Sequence, residues 1–195
     1  MIPPEEEIKR ILIPIHSTIH KIARGAWDDW QQSSEFGHAR SPRTRACIIW
    51  EHAISRTIEA FLEDPYVRIH EHYGTFSFIV AERVLFRWKK SNEDGYTANY
   101  PTQTAMDFHD PEQLEFCGFE NYYRIEVGYV LDKLQDKIQR ILVIARNNAD
   151  IAWSYEITPE EIRSVKVARI AQDEAVQPLL KPLTKEEVAE ENSKK

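Results

Sequence analysis

The chain is short of the residues that build the commonest recognisable sites. It has six glycines among 195 residues. None falls in a Gly-x-Gly-x-x-Gly, Gly-Lys-Ser/Thr or Gly-x-Ser-x-Gly pattern, so phosphate-cradling loops and a nucleophile elbow are not expected. Its two cysteines, Cys47 and Cys117, lack metal-type spacing, and so few thiols point to a reducing compartment. No apolar run approaches the roughly 20 residues that span a bilayer. The opening Met1-Ile2-Pro3-Pro4-Glu5-Glu6-Glu7 is acidic where a signal peptide would be basic. The expectation is a cytoplasmic protein that spans no membrane. Positive charge is also in deficit, with 25 Lys and Arg against 32 Asp and Glu for a net charge of -7. That balance argues against broad nucleic-acid binding while leaving room for a local basic patch.

What remains suffices for one domain with its own core. Ile8, Ile11, Leu12, Ile15, Ile19, Ile22, Ala23, Ala26 and Trp30 recur at helical spacing, predicting a helix over 4–32. Pro14 removes a backbone donor inside it, so a kink or break is expected there. After a loop, Ser41-Pro42 gives a cap followed by proline at the first helical position. A second helix carries Ala46, Ile49, Trp50, Ala53, Ile54, Ala60 and Phe61 inward and ends near Asp64-Pro65.

Beyond Pro65 the hydrophobic period falls to two. Strands are predicted at 67–73, 75–80, 84–90, 123–132, 138–146 and 151–157. Short links at Gly74, Ala81-Glu82-Arg83 and Asn147-Asn148-Ala149-Asp150 favour antiparallel neighbours. The segment between about 91 and 121 is long for a loop in a compact domain, a property often tied to function; a short helix is placed around Gln103 to Phe108. Thr158-Pro159-Glu160-Glu161 reads as a further helix start. The predicted fold is α+β: two N-terminal helices on an antiparallel sheet of five or six strands, then a short helix. One domain covers 1–170, helical over 1–64 and sheet over 65–157, and 171–195 is a polar, flexible tail.

Four groups of residues carry candidate chemistry. His16 and His20, four apart on a helix, share a face, and His70 and His72 share a strand face. Each pair alone is too small a ligand set, and nothing in the sequence joins them, so no metal or other cofactor is expected. Arg45, His52, Arg56 and Glu59 lie on one side of the second helix. As candidate catalytic residues, Arg45, His52 and Arg56 would act on a phosphodiester; the plainer account is a solvated face with Arg–Glu pairs. Arg40-Ser41-Pro42-Arg43-Thr44-Arg45 and Phe86-Arg87-Trp88-Lys89-Lys90 are basic clusters, the second interleaved with rings. Arg43, Lys89 and Lys90 are the candidate phosphate or nucleic-acid contacts. The plainer account sends Phe86 and Trp88 to the core and Arg87 and Lys89 to water. Asp107-Phe108-His109-Asp110 joins carboxylates to a histidine, but its residues alternate in direction and read equally as a turn. An Asp…Glu-x-Lys nuclease core is absent: Glu126-Val127-Gly128 has no Lys two positions beyond the Glu.

Two resemblances bear on function. The Arg45-x6-His52 spacing is similar to the motif of small all-helical ribonucleases of the HEPN type, from which the strands after Pro65 depart. Phe86-Arg87-Trp88-Lys89-Lys90, Asn99-Tyr100-Pro101-Thr102, Tyr129-Val130-Leu131-Asp132 and Trp153-Ser154-Tyr155-Glu156 together resemble a group of small bacterial proteins of phages, plasmids and genomic islands. The likeness covers roughly residues 65–157. Those proteins sit beside helix-turn-helix regulators fused to zinc-peptidase-like domains, as in toxin–antitoxin and phage-defence operons. The resemblance implies a component of such a system, a toxin before an antitoxin, acting through a protein partner such as the cognate regulator. It carries over no catalytic residue. The alternatives are a nuclease acting on RNA or DNA through Arg45, His52 and Arg56, and a non-catalytic adaptor.

Overall fold

The computed structural model describes residues 2–72, 74–97, 108, 122–160 and 162; these lie in one compact unit, Met1–Ile162. The predicted first helix is divided by Pro14. Helix α1 (Glu5–Leu12) passes through a 3₁₀ turn (Ile13–Ile15) into α2 (His16–Gln32). A proline cannot donate the i→i−4 hydrogen bond, and a tighter turn absorbs the missing bond. Glu5, Glu6 and Glu7 occupy the first turn of α1, where the helix dipole favours negative charge. Helix α3 (Pro42–Phe61) begins as the sequence signalled: Ser41 Oγ accepts from the Arg43 amide at 3.2 Å, and Pro42 holds the first position.

Six strands form one sheet in chain order: β1 (Val67–His72), β2 (Thr75–Val80), β3 (Val84–Ser91), β4 (Tyr123–Leu131), β5 (Ile138–Asn147) and β6 (Asp150–Glu156). The hairpins are tight, with Ala81 and Glu82 (φ 51° and 50°) and Asn148 (φ 54°) in the left-handed region that such turns use. The sheet is mostly, but not wholly, antiparallel. β3 and β4 run parallel, with Phe86 beside Ile125, Trp88 beside Val127 and Lys89 beside Gly128. Parallel neighbours need a crossover of a dozen residues or more. The long segment read as a loop is that connection.

The helices cover one face of the sheet. Ile8, Leu12, Ile19, Trp30, Ile49 and Phe61 pack there against Phe78, Phe86, Trp88, Val127 and Val143. The centre of the opposite face is buried too, while its edge strands stay open, with Arg68 and His72 of β1 and Ser154 of β6 exposed. Ile79 and Leu85 pack with Phe108, and Val130, Leu142 and Ile144 with Ile151. Apolar residues on both faces are what a central parallel pair requires. Ala60, placed inward from the sequence, is exposed, while Thr57 takes a fully buried position.

The Ile162 amide donates to the Thr158 carbonyl at 3.2 Å, one helical turn at the expected start. The expected continuation of that helix, the 171–195 tail, the helix near Gln103 to Phe108 and the Asp107, His109 and Asp110 cluster lie outside the described residues, except for buried Phe108.

Candidate functional site

A cavity of about 1010 Å³ opens where three elements end. The first turns of α3 give Pro42, Arg43, Ala46 and Cys47, with Trp50 one turn on. The end of β3 gives Trp88, Lys89, Lys90 and Ser91. Leu131, Asp132, Lys133 and Gln135 come from the end of β4 and the turn after it, and Tyr96 and Thr97 from the start of the crossover. The cavity therefore lies beyond the carboxyl ends of the parallel pair and beside the N-terminus of a long helix. In open sheets with parallel strands, ligands collect at such ends, and a helix N-terminus favours anions.

The structure brings Arg43, Lys89 and Lys90 to this one cavity, although Arg43 lies some forty-five residues before the lysines in the chain. Lys89 and Lys90 point to opposite faces of β3. Lys90 shares the helix-side face with Trp88, and burial lowers its ammonium pKa, with a further push from Arg45. Lys89 lies on the other face, not in water as the alternating pattern suggested. Burial is the main influence lowering its pKa; Glu126 opposes the shift and Arg87 adds to it. Glu126 is fully buried beside Gly128. It accepts a hydrogen bond from Thr97 Oγ1 at 2.8 Å, and Arg146 donates to the same hydroxyl at 2.9 Å. These bonds anchor the first residues of the crossover at the cavity rim.

The remaining predicted residues divide into two places. Arg45 reaches across the end of the sheet and donates from Nη2 to Gln135 Oε1 at 2.7 Å. Its Nε is buried without a hydrogen-bond partner. The hydroxyl of Tyr129, also buried and unpartnered, lies in its field, and burial raises that phenol's pKa. His52 and Arg56 instead face α2. Arg56 donates to both oxygens of Asp29, at 2.5 and 2.7 Å, and His52 Nδ1 stands 4.0 Å from Asp29. Gly25 makes room for this pairing, since a Cβ there would lie 2.5 Å from the Arg56 guanidinium. The Arg56 hydrogen bond is the first cause holding the Asp29 carboxyl below its ordinary range. Arg45 on one side and His52 with Arg56 on the other thus serve different contacts.

The two histidine pairs lie on opposite sides of the sheet. His16, buried on the helix side, is hydrogen bonded to Tyr155 at 3.1 Å, and His70 stacks on His72 on the far face of β1. Among the described residues, no group of three or more His, Cys, Asp and Glu side chains is gathered to hold a metal.

Sequence reasoning missed Thr57, Ser91 and Gly128. Thr57 fixes the Trp88 wall of the cavity by accepting its indole N–H at 2.8 Å. Ser91, 3% exposed, packs its hydroxyl against Gly128, where a Cβ would come within 2.1 Å of Ser91 Oγ. Packing of α3 on the sheet places Thr57 against Trp88, and the parallel β3–β4 register places Ser91 beside Gly128. No family model, curated protein or solved structure matches the chain.

Proposed function

We propose that the cavity binds a phosphate-bearing ligand that carries a planar ring: a nucleotide, or the nucleotide end of an RNA or DNA strand. The observation that carries this reading is the convergence of Arg43, Lys89 and Lys90 on one concave site in a chain of net charge -7. Glu93 and Asp132 also line the cavity, but Arg43, Lys89, Lys90 and Lys133 outnumber them; with an acidic chain around it, the site favours small anions or strand ends over long duplexes. Trp50 and Tyr96 on the walls give a base the apolar and aromatic surroundings in which it stacks.

The biological setting we propose is the one the resemblance implies, a toxin–antitoxin or phage-defence component working with a protein partner. Two of the resembling strings, Phe86–Lys90 and Tyr129–Asp132, supply cavity-wall residues. Cleavage of RNA or DNA by Arg45, His52 and Arg56 draws less support, because Asp29 already neutralises Arg56.

Calorimetric titration with the four nucleoside 5′-monophosphates and the matching nucleosides tests the reading. Binding of at least one monophosphate, with its nucleoside much weaker, supports it. Equal binding of a nucleoside and its monophosphate, or binding of neither, overturns it and favours the adaptor alternative.

A further inference from the structure

Two buried donor groups lie just beneath the helix-side wall of the cavity, and neither has an acceptor among the described residues. Tyr129, 3% exposed, stands opposite Lys90 in the parallel β3–β4 register and two residues before Leu131. Lys90 and Leu131 share its face of the sheet, and both line the cavity. The Tyr129 hydroxyl is buried without a hydrogen-bond partner, and so is Arg45 Nε. We propose that Arg45 Nε and Tyr129 Oη together receive an oxygen of a terminal phosphate, so that the cavity takes phosphate monoesters in preference to internal phosphodiesters. This inference rests on the anion-binding reading of the same cavity.

The chemistry of the pair points to an acceptor oxygen. A guanidinium can only donate, and burial keeps the Tyr129 phenol protonated and able to donate. Arg45 is held from its other side, where Nη2 donates to Gln135 on the cavity wall at 2.7 Å. It lies close enough to act on both Lys90 and Tyr129. Two cations therefore flank one hydroxyl. Asp132, an acid of the wall, uses Oδ1 to accept from the Asp136 and Lys137 amides, at 2.9 and 3.4 Å. An anionic oxygen would satisfy both donors and offset both positive charges. Depth sets the selectivity. A monoester has three free oxygens, so one can pass below the wall while the others meet Arg43 and Lys90. An internal phosphodiester is tethered through two ester bonds, and the chain on each side keeps its two free oxygens near the cavity mouth.

The test is calorimetric titration of the full chain with the four nucleoside 5′-monophosphates and their 5′-(methyl phosphate) diesters, which keep base and sugar but block one oxygen. The parent should bind at least one monophosphate about tenfold or more tighter than its methyl ester. The ester also carries less charge, so the variants decide the cause. Tyr129→Phe should weaken monophosphate binding about tenfold, roughly 1.4 kcal/mol, and shrink the preference over the ester by a similar factor. Arg45→Lys, which keeps the charge and removes Nε, should shift the preference in the same direction. Without ligand, Tyr129→Phe should leave the melting temperature unchanged or raised, because it deletes an unsatisfied hydroxyl. A lower melting temperature with unchanged binding would show that the hydroxyl is satisfied within the fold, and overturns the inference. Equal weakening of monoester and ester marks a merely structural role and overturns it too. Unchanged monophosphate binding in both variants sinks the inference while the anion-binding reading stands. No monophosphate binding to the parent removes both.

Discussion

The indole N–H of Trp88 donates to the hydroxyl of Thr57 at 2.8 Å, and that hydroxyl donates in turn to the Ala53 carbonyl at 2.5 Å. Both residues are buried, at 1% and 0% exposure. The relay ties the C-terminal half of α3 to β3 and holds the Trp88 ring in place. Thr57→Val keeps the shape and removes the acceptor. It should cost about 1–3 kcal/mol by leaving a buried N–H unsatisfied, whereas Thr57→Ser should recover most of that. Urea unfolding followed by Trp fluorescence reads both. A neutral Thr57→Val would show that the relay contributes nothing.

Gly128 carries a different constraint, a close approach rather than a special backbone angle. A methyl there would overlap Ser91 Oγ and come within 3.0 Å of Ile144 Cδ1. Gly128→Ala should destabilise the fold by about 1–3 kcal/mol, as overpacking of a dense core does. Pairing it with Ser91→Gly, which vacates the contested space, should restore part of the loss. No rescue by the second change would refute the contact as the cause.

Asp29 and Arg56 join α2 to α3 through two hydrogen bonds, but both side chains are about a third or more exposed. A double-mutant cycle with Asp29→Asn and Arg56→Met should therefore give a coupling of only about 0.2–1 kcal/mol. Because the folded-state pKa of Asp29 is depressed, its contribution is fully present above the unfolded-chain value near 4. It is lost as pH falls through the folded-state value. Coupling measured at neutral pH should persist to about pH 5 and shrink in stronger acid. Coupling that grew on acidification would contradict the assignment. Neither variant should alter ligand binding in the cavity.

Charge at the cavity should matter in proportion to its contact with phosphate. Arg43→Met and Lys90→Met should each weaken nucleoside monophosphate binding by roughly tenfold, about 1.4 kcal/mol. Raising salt should weaken binding to the parent chain and do so less in each variant. Titration at two ionic strengths distinguishes this from a purely apolar pocket, whose affinity would ignore both changes.

The helices and strands were legible because each depends on local chemistry. Pro14, Ser41-Pro42 and the two-residue rhythm after Pro65 fix element type and ends without long-range information. The parallel β3–β4 pair was not legible. Both strands carry the same alternation whichever way they pair, and the connection that sets their direction has no clear pattern of its own. From that one relation follow the second apolar face, the burial of Lys89 and the contact of Ser91 with Gly128. Arg43 was identifiable within a basic cluster, and Lys89 and Lys90 as cations among aromatic residues. Their meeting depended on α3 starting over the end of β3, which composition does not encode. The Arg45, His52 and Arg56 grouping rested on a shared helix side; it did not include Asp29, which approaches from the neighbouring helix.

The anion-binding cavity is tested most directly through Cys47, an exposed thiol on its wall. In a Cys117→Ser background, the rate of Cys47 alkylation would be followed with and without a saturating nucleoside 5′-monophosphate, in the parent chain and in Arg43→Met/Lys90→Met. The account predicts slowing by about tenfold or more in the parent, equivalent to about 1.4 kcal/mol or more of ligand binding, and little slowing in the double variant at the same ligand concentration. An unchanged rate in the parent, or the same protection in both chains, would contradict it.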